Sequence, residues 1–115
     1  MSTLVNRAIE LIGPLFPADA RIRQEKYLEH VDICIDWKLG TDRTRRSKRS
    51  KLLRLRVQSD DIDDYADGDG AVRVHIERRL LAFARERRGA FCATHTAGIM
   101  APPPEEVWQF SVATK

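Results

Sequence analysis

Apolar positions in the middle of the chain follow a period of two. In residues 27–39 hydrophobic side chains occupy most odd positions and polar ones most even positions, and the alternation returns in residues 53–57. This period predicts strands with one face in a core and one toward solvent. We expect an antiparallel hairpin in which Ile35 lies opposite Leu55 and Asp36 lies opposite Arg54, because that register keeps apolar pairs on one face.

Helical spacing of apolar residues appears on both sides of this hairpin. A first helix is predicted over residues 2–12, ended by the Gly-Pro pair that follows. A second helix is predicted to begin at Asp69 or Gly70 and to end before Gly89. Its apolar stripe consists of Val72, Ile76, Leu80, Phe83 and Ala84. Residues 72–76 also alternate as the residues of a strand would. The helix therefore begins either at Asp69 or Gly70, or nearer to Ile76.

The rest of the chain predicts two more strands. They are expected near residues 90–96 and 107–113, with a proline-rich loop at residues 98–106 between them. The order is then helix, hairpin, helix, two strands, over a length of 115 residues that suits a single domain, 1–115. This order predicts a two-layer α+β fold: an antiparallel sheet of about four strands with two helices on one face.

Charge is unevenly distributed along the chain. The composition, 43% hydrophobic and 32% charged with a net charge of +3, suits a folded domain. Residues 43–56 carry eight basic and no acidic side chains, whereas residues 57–70 carry six acidic and no basic ones. Such blocks either pair with each other or face different partners. Whether the acidic block at 60–69 neutralises the basic one is left open by the sequence.

The basic block overlaps a hairpin loop, residues 40–50, which we call the basic loop. Arg54 is expected to face a carboxylate across the hairpin, so the candidate phosphate contacts lie earlier in the block. They are Arg43, Arg45, Arg46, Lys48 and Arg49, with Lys51 at the edge. This density of cations predicts binding to nucleic acid or another polyanion by counterion release. The loop has no aromatic residue for base stacking, and the alternative is a solvated hairpin loop.

A second class of function is a protein-interaction or self-associating module, with a protein partner or a homodimer. Trp108 and Phe110 are expected in the core, but an outward-facing Trp108 beside the proline-rich loop would anchor a partner. Residues 107–113 would also pair with a second copy if they lie at the edge of the sheet. Sequence alone favours neither class.

No catalytic residue, metal site or cofactor is assigned, because no nucleophile–base pair or phosphate-binding loop is recognisable. A distant third hypothesis is a metal-dependent nuclease built on Asp36 and Lys38. Asp19 or Glu29 would be its upstream acid. In such enzymes carboxylates hold Mg²⁺ while a lysine orients water. Because no active site is recognisable from the residues, we expect a non-enzymatic protein.

Cysteine usage and the N-terminal residues bear on the compartment. Cys34 and Cys92 form no CxxC pair and are expected to be buried as small hydrophobic residues. Arg7 and Glu10 interrupt the apolar run that a signal peptide would need, and no other run is long enough to span a bilayer. A cytoplasmic location without membrane association is therefore expected.

Two stretches, "EHVDICIDWKLG" (29–40) and "GAVRVHIERRLLAFARERRG" (70–89), carry a resemblance. The chain resembles the small uncharacterised proteins common in proteobacterial genomes, which are grouped in families of unknown function. The likeness covers most of the chain in its overall layout. It implies a bacterial protein, and it implies neither an activity nor a catalytic residue.

Overall fold

The computed structural model describes residues 4–40, 48–50, 52–91 and 105–112. These ranges contain three α-helices and six strands. They are α1 (Leu4–Ile12), β1 (Arg21–Lys26), β2 (His30–Asp36), β3 (Lys38–Gly40), β4 (Lys48–Arg49), β5 (Leu53–Gln58), α2 (Ser59–Asp67), α3 (Gly70–Ala90) and β6 (Glu106–Phe110). A short 3₁₀ turn, Gly13–Leu15, follows α1.

Four of the strands form one open sheet in the order β1-β2-β5-β6, and β3 and β4 form a separate two-stranded ribbon. The pairs β1–β2 and β2–β5 are antiparallel, but β5–β6 is parallel. The α+β class is thus confirmed, whereas the prediction of an antiparallel sheet is wrong for its last pair. The chain returns from β5 through α2 and α3, and such a crossover is what a parallel neighbour requires.

The register of the central hairpin differs from the prediction by two residues. Ile35 pairs with Leu53, and Arg54 lies opposite Cys34 instead of Asp36. Because side chains alternate with a period of two, this shift keeps every residue on its predicted face. β2 ends at Asp36, and the chain leaves the sheet at Trp37.

The helices also differ in part from the prediction. α3 begins at Gly70, so residues 72–76 are helical, and the Asp69 side chain caps the helix by accepting a hydrogen bond of 3.0 Å from the Val72 N–H. The acidic block forms a third helix, α2, whereas the sequence predicts two helices in all. Of the strand predicted at 90–96, Ala90 belongs to α3, and residues 92–96 lie outside the described ranges.

One face of the sheet packs against the helices and forms the core. Alternate residues of β2 and β5 are fully buried there, together with one side of α1 and of α3. The central members are Leu4, Ala8, Ile12, Ile33, Ile35, Leu53, Leu55, Val57 and Leu80. Each fully buried leucine or isoleucine side chain contributes about 1.5–3 kcal/mol through removal of apolar surface from water. This face accounts for the alternating pattern in the sequence.

Polar contacts attach α2 to the neighbouring elements. Asp61 is buried and accepts a hydrogen bond of 3.3 Å from the Val112 N–H, just beyond β6. Burial raises the pKa of the Asp61 carboxyl. The Tyr65 hydroxyl donates to Glu77 on α3 at 2.7 Å. These contacts fix the acidic helix at the end of the sheet where β5 and β6 finish.

Candidate functional site

The basic loop leaves the domain as the β3–β4 ribbon. Lys38 pairs with Arg49 and Gly40 with Lys48 through the backbone of this ribbon. Arg43, Arg45 and Arg46 belong to the seven residues that connect its two strands, and they lie outside the described ranges, as does Lys51. Lys48 and Arg49 are therefore the candidate phosphate contacts that the structure places, by their backbone, on a hairpin.

Trp37 and Ser50 form the base of the ribbon. The Ser50 N–H donates to the Trp37 carbonyl at 2.8 Å, and the Trp37 N–H donates to Ser50 Oγ at 3.1 Å. Ser50 is 4% exposed, so both hydrogen bonds are shielded from water. Two reciprocal bonds in a dry environment hold the strands together where they leave the sheet.

An aromatic cluster lies under this base. The ring of Trp37 contacts Phe16 at 5.5 Å and Phe91 at 5.6 Å, and Phe91 contacts Trp108 at 6.1 Å between ring centroids. The Arg88 guanidinium lies 5.2 Å from the Trp37 ring centroid, a favourable cation–π distance. The end of α3, the start of β6 and the base of the ribbon are thereby packed into one unit.

Trp108 and Phe110 belong to this core. Each is 2% exposed. Both residues therefore lie in the core, as expected. Trp108 does not face outward, so the alternative in which it anchors a partner is wrong. Alternation along β6 explains the burial, because residues 108 and 110 share the face that meets the helices. Val107, which points to the other face, is 39% exposed.

The acidic block lies at the opposite end of the sheet from the ribbon. The ribbon joins the sheet where β2 ends and β5 begins, whereas α2 starts directly after the last residue of β5. β5 has six residues, which at the rise of a strand separates its two ends by about 17 Å. The basic loop and the acidic block are therefore joined to the sheet at opposite ends of β5.

The outer face of the sheet, on the side away from the helices, carries a network of charged side chains. Asp32 is fully buried there and accepts hydrogen bonds from Arg56 Nε at 2.9 Å and Arg56 Nη2 at 3.1 Å. Arg54 lies between the carboxylates of Glu25, Asp32 and Glu105. The prediction that Arg54 has a carboxylate neighbour is confirmed, with partners that the sequence did not identify. Arg54 and Arg56 are thus engaged within the protein.

Within this network the carboxyl pKa of Glu25 is lowered. The hydrogen bond from Arg54 lowers its pKa to about 2, helped by a second hydrogen bond from the Tyr27 hydroxyl at 2.8 Å. Arg54 in turn has its pKa raised, first by the same hydrogen bond to Glu25. Glu25 and Arg54 therefore remain charged together across the physiological pH range.

Sequence reasoning missed the residues of this network that come from β1. β1 reads "RIRQEK", and Ile22 is its one apolar residue, so no period of two is visible. The available signal was the mixture of Arg and Glu at alternate positions, because Arg23 and Glu25 face the charged side of β2 and β5. That mixture is also typical of an exposed helix or loop, so it does not single out a strand.

Two acids of the nuclease hypothesis, Asp36 and Glu29, lie at opposite ends of β2. The Asp36 carboxylate accepts a hydrogen bond of 3.1 Å from Arg21 Nη2. Glu29 lies at the other end of β2, where its carbonyl accepts a hydrogen bond from Ser59 N–H. Across the part of the chain that the structure describes, no group of three or more His, Cys, Asp or Glu side chains is arranged to hold a metal ion.

Cys34 is 1% exposed on the outer face, as expected for a small buried residue, and burial raises the pKa of its thiol. Cys92 lies outside the described ranges. Among the described helices, none combines the length and the apolar character needed to cross a membrane.

Comparison with known proteins gives no further indication of function. No protein-family model, no curated protein and no solved structure matches this chain.

Proposed function

We propose that this protein is a small binding module without catalytic activity, and that it contacts nucleic acid or another polyanion through the basic loop (residues 40–50). The candidate contacts are Arg43, Arg45, Arg46, Lys48 and Arg49, with Lys51 at the edge. We further infer that it acts as a cytoplasmic bacterial protein.

The observation that carries this proposal is the attachment of the basic loop. Its two ends are paired as a β-ribbon, fastened at Trp37 and Ser50, and the acidic helix α2 is fixed at the far end of β5. We infer that a cation-rich loop joined to the sheet at the end of β5 opposite to the acidic helix keeps its attraction for external anions. Two-stranded β-ribbons also fit the major groove of duplex DNA.

The side chains at the base of the basic loop indicate whether the ligand would be bound through its bases or through its phosphates. The aromatic residues at its base, Trp37, Phe91 and Trp108, are all buried in the core. They offer no platform on which unpaired bases would stack. We therefore infer contacts to phosphates that are independent of base sequence.

Fluorescence-anisotropy titration of labelled single- and double-stranded DNA and RNA at several salt concentrations tests this proposal. We expect affinity for duplex DNA to fall steeply with salt. The Arg45→Ala/Arg46→Ala/Arg49→Ala variant should reduce the slope of log K against log salt by about three, because each phosphate contact contributes about one.

A variant with the same change of net charge controls for general electrostatics. Arg23→Ala/Arg78→Ala/Arg85→Ala removes three exposed arginines outside the basic loop and should leave most of the slope in place. Equal loss in both variants, or no binding at low salt, would refute the proposal. Mg²⁺-dependent cleavage of the DNA that Asp36→Ala abolishes would instead make the protein a nuclease.

The second candidate is a protein-interaction or self-associating module. The observation that favours it is the position of β6 at one edge of the sheet in the described structure. Sedimentation equilibrium tests self-association directly, because a homodimer would double the mass as concentration rises.

A further inference from the structure

β1 forms the edge of the sheet opposite to β6, and the residues before and after it, 13–20 and 27–29, are described. One side of β1 pairs with β2. Within the part of the chain that the structure describes, no strand pairs with its other side. Most residues of β1 are exposed, namely Arg21, Arg23, Gln24 and Lys26. An edge strand of this kind is able to accept one more strand.

The turn after β1 shows which of its backbone groups face away from the sheet. The Tyr27 N–H donates to the His30 carbonyl at 2.9 Å, so the odd-numbered residues of β1 turn their N–H and carbonyl groups toward β2. Because this direction alternates along a strand, the even-numbered residues turn theirs outward. They are Ile22, Gln24 and Lys26. These residues would carry the hydrogen bonds to an added strand.

The side chains of β1 are complementary to those of a second copy of β1. When two such strands run antiparallel with Gln24 at the centre, each Arg23 lies opposite Glu25 of the second copy, and each Arg21 lies opposite Tyr27. Side chains directly opposite each other are about 5 Å apart at Cβ, so these charges attract. Arg23 Nη2 also lies 3.1 Å from Glu25 Oε2 of its own strand. The four charged groups would therefore alternate in sign around the centre of the pair.

These charges also select the register of the pair. A shift by two residues in one direction sets Arg23 opposite Arg23 of the second copy, and a shift in the other direction sets Glu25 opposite Glu25. Like charges directly opposite each other destabilise paired strands. A shift by one residue would set the inner face of one sheet beside the outer face of the other. The register centred on Gln24 avoids each of these conflicts.

We propose that β1 joins two copies of this chain into a homodimer with one continuous sheet, which contains both four-stranded sheets. The two β1 strands pair antiparallel about Gln24, and a two-fold axis through this point makes the interface self-complementary. The outward backbone groups supply the affinity for a strand, and the contacts between Arg23 and Glu25 fix the register.

This interface is separate from the basic loop, so a failure of either proposal leaves the other standing. It also places self-association at β1, whereas the edge at β6 plays no part in it. Attraction between the basic loop of one copy and α2 of another is a competing route to a dimer. The Arg45→Ala/Arg46→Ala/Arg49→Ala variant distinguishes the two routes, because the β1 interface should remain intact in it.

Hydrogen exchange followed by NMR at increasing protein concentration locates the interface. We expect the amides of Ile22, Gln24 and Lys26 to gain at least about tenfold protection as the dimer forms, because the second strand covers them. The amides of Arg23 and Glu25 are already bonded to β2 and should change little. This alternation along one strand is the signature of strand pairing.

Two variants at Gln24 test the backbone contribution by sedimentation equilibrium. Gln24→Pro removes the outward N–H at the centre of the interface and leaves the pairing with β2 in place. Gln24→Ala removes the same side chain and keeps the N–H. We expect Gln24→Pro to raise the dissociation constant of the dimer at least about tenfold, and Gln24→Ala to raise it by less than about threefold.

A second pair of variants tests the charges. Arg23→Glu sets like charges opposite each other at two places in the interface, so it should raise the dissociation constant about tenfold or more. Arg78→Glu makes the same change at an exposed residue of α3 and should have little effect. Circular dichroism checks that each variant folds.

Several outcomes would overturn the proposal. They include a mass that stays at one chain up to the highest soluble concentration, and a dimer that a folded Gln24→Pro variant retains at full strength. Equal weakening by Arg78→Glu and Arg23→Glu would remove the role of the opposed charges. Loss of the dimer in the basic-loop variant would assign it to the competing route, and protection gained only at residues 107 and 109 would assign it to β6.

Discussion

The two faces of the sheet are built by different physical means. The inner face is apolar, and fully buried side chains such as Ile33 and Leu55 pack against α1 and α3. No helix in the described ranges packs on the outer face, yet Asp32 is also fully buried there, because Arg54 and Arg56 cover it. One face excludes water by apolar contact and the other by salt-bridged side chains that cover one another.

This difference decides how each face responds to substitution. Apolar burial is non-directional and scales with the area removed from water. A buried carboxylate depends instead on particular partners, since its desolvation is offset only by well-placed hydrogen bonds. Substitutions on the inner face should therefore lower the free energy of unfolding according to the side-chain volume that they remove. Substitutions on the outer face should lower it when they remove a specific hydrogen-bond partner.

The largest effect is expected on the inner face. Leu55→Ala should lower the free energy of unfolding by about 3 kcal/mol, because it removes buried methyl groups and leaves a cavity. Urea unfolding followed by tryptophan fluorescence measures it. Leu28→Ala makes the same chemical change at a residue that is 97% exposed, and it should change stability by less than about 0.5 kcal/mol. Similar losses in both variants would contradict our description of the inner face.

A smaller effect is expected from Asp32→Ala on the outer face. Arg54 would keep Glu25 and Glu105, and Arg56, whose side chain is 28% exposed, would reach water. We therefore expect a loss of about 2 kcal/mol in the same urea experiment, less than for a fully enclosed ion pair. Asp63→Ala, at an exposed position on α2, is the control. A neutral result for Asp32→Ala would show that the network contributes no net stability.

The smallest effect is a pH dependence that comes from Glu25. Its pKa is lowered from an ordinary value of 4.5 to about 2 in the folded protein, so its contribution to stability is present above pH 4.5 and is lost as pH falls toward 2. Urea midpoints for the wild type and Glu25→Gln should differ at pH 7 and converge near pH 2. The difference is modest because the Glu25 side chain is 31% exposed. A pH-independent difference would exclude titration of Glu25 as its source.

The same contrast explains what the sequence reveals about the fold. Burial on the inner face requires apolar residues at every second position of β2 and β5 and at helical spacing in α3. These elements are therefore predicted from the sequence near their observed positions. β1 was missed because an outer-face network needs charged residues, which carry no such pattern. The parallel direction of β6 was also missed, since side-chain alternation is the same in either direction.

Features of the surface can be recognised in the sequence to different degrees. The cations of the basic loop are visible in the sequence, but their attachment to a ribbon depends on Ser50, a residue with no distinctive pattern around it. A groove between α3 and β6, whose walls include Arg87 and Gln109, depends on the approach of that helix to the strand, and neither residue signals that approach locally. Tertiary packing creates both features.

The parallel pair β5–β6 has a consequence for the order of assembly during synthesis. β1, β2 and β5 are close together in the chain, whereas Leu53 finds its partner Glu106 only after α2 and α3 have been made. Contacts this distant in sequence form late, because the loop they close is long. During synthesis the apolar residues of β5 are therefore expected to lie at an open edge of the sheet until β6, which carries Trp108, has been made and pairs with them.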